Sequence, residues 1–235
     1  DGATPGEITV SRFDPQAFGD GAPPALKRPK FLAIVASATL ASMLTRKASG
    51  RVDGFVVEGP TAGGHNAPPR GEPSFTERGE PIYGKRDEVD LDAMRALDRP
   101  FWLAGSYGSP ERVLDALDQG AAGVQVGTAF AFCKESGLRD DLKRRVLEMS
   151  RAGVVDVLTD PAASPTGFPF KVLQLAGSLS DDDVYAKRER QCDLGFLRQM
   201  FRRPDGTLGG RCPAEDVTTY VRKGGDPDDV NGRKC

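Results

Sequence analysis

The feature that most constrains the fold of this chain is an alternation of short apolar runs and helical segments between residues 31 and 151. Four runs have the length of buried strands, and a segment with helical spacing follows each of them along the chain. Strands are predicted at 31–35, 54–58, 100–104 and 123–128, and helices at 38–48, 91–97, 109–120 and 138–149. This alternation is typical of a parallel sheet with right-handed crossovers, so the sequence predicts an α/β fold.

Glycines collect at the carboxyl ends of three of the predicted strands: Gly59, Gly63 and Gly64 after the second, Gly105 and Gly108 after the third, and Gly127 after the fourth. No Gly-x-Gly-x-x-Gly pattern follows any strand, which argues against a dinucleotide-binding domain. A (β/α)8 TIM barrel builds its active site at the carboxyl ends of its strands, with a phosphate site after the last two. The four units therefore predict half of such a barrel.

The remaining residues divide into two further segments. Residues 1–30 are rich in proline and glycine and are predicted to be an irregular lead-in. Residues 152–235 show no clear strand–helix repeat and are predicted to be a C-terminal extension with one short helix around 181–190. Because the chain starts at Asp1 and ends without a closing element, we expect it to be part of a longer protein.

The composition and charge of the chain limit the kinds of partner that it is expected to bind. The formal net charge is −2, which gives no electrostatic basis for binding nucleic acid, and no apolar run reaches the length of a membrane span. The four cysteines are widely spaced and include no Cys-x-x-Cys pair, which argues against a zinc site. We therefore expect a cytoplasmic protein with no nucleic acid, membrane or metal partner.

One titratable group stands at the end of a predicted strand. His65 is the only histidine of the chain, and it directly follows Gly63 and Gly64. Glycines let a ligand approach the backbone, and a histidine exchanges protons near neutral pH. The sequence thus offers His65 as a catalytic base, while a surface loop with an incidental histidine is the alternative. The long polar segment 59–90 is typical of a lid or of disorder. Its Phe75 and Tyr83 could cover a bound ligand or anchor the segment, and we expect them to anchor it.

Three blocks carry a resemblance to a known family. They are Val57-Glu-Gly-Pro-Thr-Ala-Gly-Gly-His65, Trp102-Leu-Ala-Gly-Ser-Tyr-Gly108 and Gly123-Val-Gln-Val-Gly-Thr-Ala-Phe130. In this order, they resemble the exits of strands six, seven and eight in the nitronate monooxygenase family, whose members are FMN-dependent (β/α)8 barrels. The resemblance covers roughly residues 30–150 and implies that 31–151 is the C-terminal half of the barrel.

The resemblance also implies a cofactor site. The backbone around Gly105 and Gly127, with the Thr128 hydroxyl, would hold the FMN phosphate. Gly63 would let the backbone approach the cofactor, and Gln125 would point toward it or, alternatively, be a polar residue bonded inside the barrel. The full set of expected FMN contacts is Glu58, Gly63, Gly64, Gly105, Ser106, Gln125, Val126, Gly127 and Thr128.

Two of these positions depart from the family pattern. Glu58 stands where many members have glutamine, which brings a carboxyl group close to the expected flavin. Ser106 replaces the second glycine of the turn after the third strand, and this is tolerable if its hydroxyl faces the phosphate.

The implied activity is FMN-dependent oxidation of alkyl nitronates and nitroalkanes with molecular oxygen. His65 would remove the proton next to the nitro group, and FMN would supply the redox chemistry. The expected partners are a small-molecule substrate and oxygen, and a homo-oligomer is compatible with the sequence. The alternatives are an FMN-dependent enoyl-thioester reductase on the same scaffold and a non-catalytic barrel fragment.

Overall fold

The computed structural model describes residues 6, 12, 14, 17, 27–163, 168–189, 195, 197–230 and 233–234, so most of the predicted lead-in lies outside the described residues. The chain divides into two compact units, which are described separately below. The larger comprises residues 31–194 and 232–235, and the smaller comprises 1–30 and 195–231. The predicted extension 152–235 is thus shared between the two units.

A four-stranded parallel sheet organises the larger unit, in the order β1-β2-β3-β4. Its strands are β1 (Leu32–Val35), β2 (Gly54–Glu58), β3 (Phe101–Ala104) and β4 (Gly123–Gln125). The helices of this region are α1 (Ala38–Lys47), α2 (Leu91–Arg95), α3 (Pro110–Asp118), α4 (Thr128–Ala131) and α5 (Asp140–Arg151). The α/β fold with a parallel sheet that the sequence predicted is therefore confirmed.

Helix-start signals in the sequence explain where these helices begin. The Ser37 hydroxyl accepts a hydrogen bond from the Leu40 amide at the start of α1. Ser109 caps α3 in the same manner, and Pro110 occupies its first turn, where a missing N–H costs nothing. These caps set the residues at which the loops after β1 and β3 end and the helices α1 and α3 begin.

The core of the larger unit lies on one face of the sheet. Alternate strand residues point into it together with buried residues of three helices; the set is Ala33, Val35, Phe55, Val57, Phe101, Leu103, Ala41, Met94 and Ala116. The expectation that the first strand is a buried strand holds for only one of its faces, because the Ile34 side chain is 57% exposed. β1 is an edge strand with only one covered face, and its burial alternates with the two-residue period of a strand.

A β-hairpin completes the larger unit. β5 (Val157–Asp160) pairs antiparallel with β6 (Phe170–Leu173), and α6 (Asp182–Lys187) follows. The short helix was predicted, whereas the hairpin was missed. The Lys234 amide donates a hydrogen bond to the Ala162 carbonyl, so the described residues near the C-terminus contact this region too.

The smaller unit contains a second hairpin and a helix: β7 (Gln199–Arg202), β8 (Leu208–Arg211) and α7 (Val217–Arg222). Tyr220 is fully buried, and its hydroxyl lies 2.9 Å from Gln199 Oε1 and 3.0 Å from Asp229 Oδ2. None of the described helices is long and apolar enough to cross a membrane.

Candidate functional site

A cleft of about 660 Å³ opens where the exit loops of β2, β3 and β4 meet. This volume lies in the range of small-molecule and cofactor sites. All nine residues expected to contact a cofactor line it: Glu58, Gly63, Gly64, Gly105, Ser106, Gln125, Val126, Gly127 and Thr128. The structure therefore brings together three stretches that are separate in the sequence, while the role of each residue stays a prediction.

The register of the parallel strands explains why these loops converge. Glu58 is opposite Ala104, and Ala104 is opposite Gln125, so β2, β3 and β4 end side by side. Parallel strands place their carboxyl ends on the same edge, and the chain must turn away there. The loops that follow consequently share one rim.

Three glycines leave the backbone of this rim accessible. A Cβ atom built on Gly63, Gly64 or Gly127 would meet no atom within 4 Å among the described residues. The Gly64 φ angle of +79° is also one that residues with a side chain rarely adopt. No side chain therefore fills the space beside the backbone at these positions, and a ligand in the cleft could approach it closely.

The turn after β3 has an unusual backbone conformation. Gly105 has φ of +98°, and Ser106 follows with φ of +62°, in the left-handed region that favours glycine. A Cβ atom on Gly105 would lie 2.7 Å from both the Ala62 amide nitrogen and Thr61 Oγ1. Close contact between two exit loops therefore requires glycine at 105, and Ser106 keeps a glycine-like conformation despite its side chain.

Glu58 lies between the cleft and a second, smaller cavity. The smaller cavity has a volume of about 40 Å³ and is also lined by Asn66 and Tyr83. Partial burial raises the pKa of the Glu58 carboxyl above its ordinary value. The group therefore takes up a proton more readily than an exposed glutamate, and in that form it is a hydrogen-bond donor, as a glutamine side chain is.

His65 lies beside the cleft and is not one of the residues that line it. Its side chain is exposed, and it follows Gly64, which does line the cleft. The imidazole packs edge-on against the Phe170 ring, with 4.7 Å between ring centroids and 73° between planes. The structure thus places the predicted base directly after a residue that lines the cleft and in contact with the β5–β6 hairpin.

Comparison with known proteins identifies the family. A sequence model described as nitronate monooxygenase matches residues 16–162, which is more than half of the chain. The chain belongs to the nitronate monooxygenase family. Members of this family are flavin enzymes that act on small molecules, and the match includes all three exit loops of the cleft.

Individual relatives match over part of their length. Nitronate monooxygenase of Pseudomonas aeruginosa is 32% identical over 160 residues, 65% of this chain and 43% of that protein. A Mycobacterium tuberculosis protein named (3aS,4S,5R,7aS)-5-hydroxy-7a-methyl-1-oxo-octahydro-1H-indene-4-carboxyl-CoA dehydrogenase is 30% identical over 142 residues, 60% of this chain and 35% of that protein. The structure of FabK from Thermotoga maritima aligns with a TM-score of 0.43 and 25% identity, covering 63% of this chain and 40% of that one. The chain spans less than half the length of each.

Within this nitronate monooxygenase family chain, sequence reasoning missed several residues of the cleft. They lie close to the predicted contacts along the chain and are Thr61, Ala62, Ala104, Tyr107, Gly108, Ser109, Ala129 and Ala131. Their position at the strand ends was the available signal. Asn66, which lines the smaller cavity, gave no such signal in the sequence. It is 5% exposed, its Nδ2 donates to the Ala62 carbonyl at 3.0 Å, and its Oδ1 has no partner among the described residues.

Metal binding is the other kind of chemistry for which the described side chains can be compared with known sites. No group of three or more His, Cys, Asp or Glu side chains in the described ranges is arranged to hold a metal ion. The polar groups of the cleft are instead backbone amides, hydroxyls, one amide side chain and one carboxyl. Such a set suits an organic ligand that carries an anionic group.

Proposed function

We propose that this chain carries the cofactor-binding end of an FMN-dependent oxidoreductase that oxidises alkyl nitronates and nitroalkanes with molecular oxygen. The observation that carries the proposal is the convergence of three strand exits on one cleft in a chain of the nitronate monooxygenase family. The specific substrate and the activity are inferences, because the chain spans less than half the length of its curated relatives.

The same reasoning extends to the fold. We propose that residues 31–151 form the C-terminal half of a (β/α)8 barrel, with 1–30 as lead-in and 152–235 as extension. The parallel order β1-β2-β3-β4 supports this, since each strand is joined to the next by a crossover containing a helix. β1 and β4 form the two edges of the described sheet, where further strands of a barrel would add.

The cleft fits FMN in size and in the groups that it offers. The peptide N–H groups around Gly105 and Gly127 and the hydroxyl of Thr128 would bind the phosphate. Gly63 and Gly64 would let the backbone approach the cofactor, because open space lies where their side chains would be. Glu58, Ser106, Gln125 and Val126 complete the set of contacts. When bound, FMN would supply the redox chemistry of the reaction.

His65 supplies the proton transfer in this proposal. Its imidazole would accept the proton from the carbon next to the nitro group of a neutral nitroalkane. The electron pair of the broken C–H bond moves into the nitro group, which gives the nitronate anion. Histidine is the side chain that most often serves as a general base, and a well-placed base contributes roughly 10²–10⁴-fold to the rate.

The test is oxygen consumption by the FMN-loaded chain. We expect oxygen uptake with an alkyl nitronate and without any pyridine nucleotide. Absence of oxygen uptake with nitronates of several chain lengths would contradict the proposed activity, provided that the flavin spectrum shows bound cofactor.

A second candidate activity is reduction of an enoyl thioester. The observation that favours it is the 30% identity to the Mycobacterium tuberculosis protein, whose name describes a dehydrogenase of a carboxyl-CoA compound. This activity would require NAD(P)H and a thioester substrate. NAD(P)H oxidation that an enoyl thioester stimulates, together with no nitronate-dependent oxygen uptake, would select this alternative.

A further inference from the structure

The loop that carries His65 is bound to the β5–β6 hairpin along its backbone. The Lys171 amide donates a hydrogen bond to the Gly64 carbonyl at 2.9 Å, and the Asn66 amide donates one to the Pro169 carbonyl at 2.8 Å. Residues 65 and 170 form an antiparallel bridge between these two bonds. The His65 loop therefore continues the hairpin as a short third strand.

Two further links join the hairpin region to the same long loop. The Arg78 guanidinium contacts both carboxylate oxygens of Asp156, at 3.0 and 2.8 Å. Glu80 Oε1 accepts a hydrogen bond from the Thr159 amide at 2.8 Å. Arg78 and Asp156 are half-exposed, so their ion pair adds little to stability. The pair nevertheless shows that the long loop and the start of β5 are neighbours.

The aromatic contact acts on the side chain of His65 itself. An exposed imidazole without neighbours would exchange among its rotamers, whereas packing against the Phe170 ring, 4.7 Å away at 73°, favours the rotamer that keeps this contact. A general base works only within hydrogen-bond reach of the proton that it removes, so its orientation affects the rate directly.

We propose that Phe170 positions the His65 imidazole beside the cleft, so that the hairpin sets the orientation of the base. This inference rests on the proposed function for its catalytic consequence. Phe170 lies beyond the region that the family model matches, and the sequence offered no signal for its contact with His65.

The consequence is specific to one step. A misplaced imidazole slows removal of the proton from a neutral nitroalkane. A nitronate supplied as the preformed anion has already lost that proton, so its turnover does not need the base. A general structural defect would instead lower turnover of both substrates.

The test compares Phe170→Leu with Phe170→Tyr and with Phe168→Leu, a control at a half-exposed phenylalanine two residues earlier. In the FMN-loaded chain, Phe170→Leu should lower kcat for a neutral nitroalkane about tenfold and leave turnover of its nitronate within about twofold. Phe170→Tyr, which keeps the ring, and the control should behave as the original chain. An equal loss with both substrates, or no loss with either, would overturn the proposal.

Nuclear magnetic resonance on the full chain provides a second test, which does not depend on activity. Because His65 is the only histidine, histidine labelling reports on its ring alone. We expect nuclear Overhauser contacts between the His65 and Phe170 rings, and shifted imidazole C–H resonances in Phe170→Leu but not in Phe170→Tyr. If the original chain turns over neither substrate, the proposed function is wrong. The NMR measurement then still tests whether Phe170 positions the His65 ring. The absence of nuclear Overhauser contacts between the two rings, together with imidazole resonances that do not shift in Phe170→Leu, would overturn the proposal that Phe170 positions His65.

Discussion

Gly105 and Ala62 approach each other so closely that a side chain on Gly105 would lie 2.7 Å from the Ala62 amide nitrogen. The exit turn of β3 thus packs directly on the exit loop of β2, and both loops line the cleft. The shape of the candidate site consequently depends on backbone contact between loops as much as on its side chains.

Replacing Gly105 by alanine should destabilise the larger unit and distort the cleft. The new methyl group meets backbone atoms that cannot move alone, and φ of +98° is unfavourable for alanine, so we expect a loss of about 2 kcal/mol or more in the free energy of unfolding. Urea denaturation measures it. Gly108→Ala is the control, because its nearest neighbour would be Val126 Cγ1 at 3.7 Å, an ordinary contact. Equal stability of the two variants would contradict the loop-packing account.

Replacing Gly127 by valine should abolish FMN binding without unfolding the chain. No described atom lies within 4 Å of the position of its Cβ, so the fold has room for the side chain while the ligand does not. Gly50→Val, at another open position outside the cleft, is the matched control. Fluorescence titration with FMN measures the loss, and unchanged circular dichroism verifies the fold. FMN retained by Gly127→Val would mean that the phosphate binds elsewhere.

Glu58 should make FMN binding depend on pH. Burial raises its pKa, so the carboxyl stays neutral to a higher pH than an exposed glutamate and becomes an anion above that point. Affinity for the anionic cofactor should therefore fall as the pH rises through the raised pKa.

Glu58→Gln isolates this effect, because glutamine has no proton to lose and the titration of the FMN phosphate is common to both proteins. We expect the affinity ratio of the variant to the original chain to increase with pH. The same sign applies to stability: a raised folded-state pKa contributes stability at low pH, and this contribution is lost as the pH rises. A ratio independent of pH would remove Glu58 from the vicinity of the cofactor.

His65→Ala should separate cofactor binding from proton transfer. We expect the variant to keep FMN, because His65 is outside the lining of the cleft, and to lose about two orders of magnitude or more in turnover of a neutral nitroalkane. His65→Gln should behave in the same way, since glutamine keeps a polar side chain but cannot act as a base. Unchanged turnover in steady-state kinetics would exclude His65 from the mechanism.

Much of the parallel sheet could be predicted because its signals are local. The bounds of β2 and the Ser109 cap of α3 follow from short apolar runs, glycines and cap residues close together in the sequence. The nine expected cofactor contacts were named from the resemblance to the family, and they lie in one cleft because parallel strands present their ends on one edge of the sheet.

Most of the parts that were missed depend on contacts between distant residues. The β5–β6 hairpin carries no tight-turn signal of the Asn-Gly kind, and strands of four residues give little periodicity. Between β7 and β8, Pro204-Asp205-Gly206 is a local turn signal that was overlooked. The exposure of Ile34 depends on β1 being an edge strand, which is a property of the sheet order. The packing of Phe170 on His65 joins two segments that no local pattern relates.

The most direct test of the central claim is the visible absorption spectrum of the purified chain after FMN is added and the excess is removed. The account predicts a retained flavin whose absorption bands differ from those of free FMN, and loss of this spectrum in Gly127→Val but not in Gly50→Val. A folded chain that retains no flavin, or one whose flavin is unaffected by Gly127→Val, would contradict the assignment of the cleft as the FMN site.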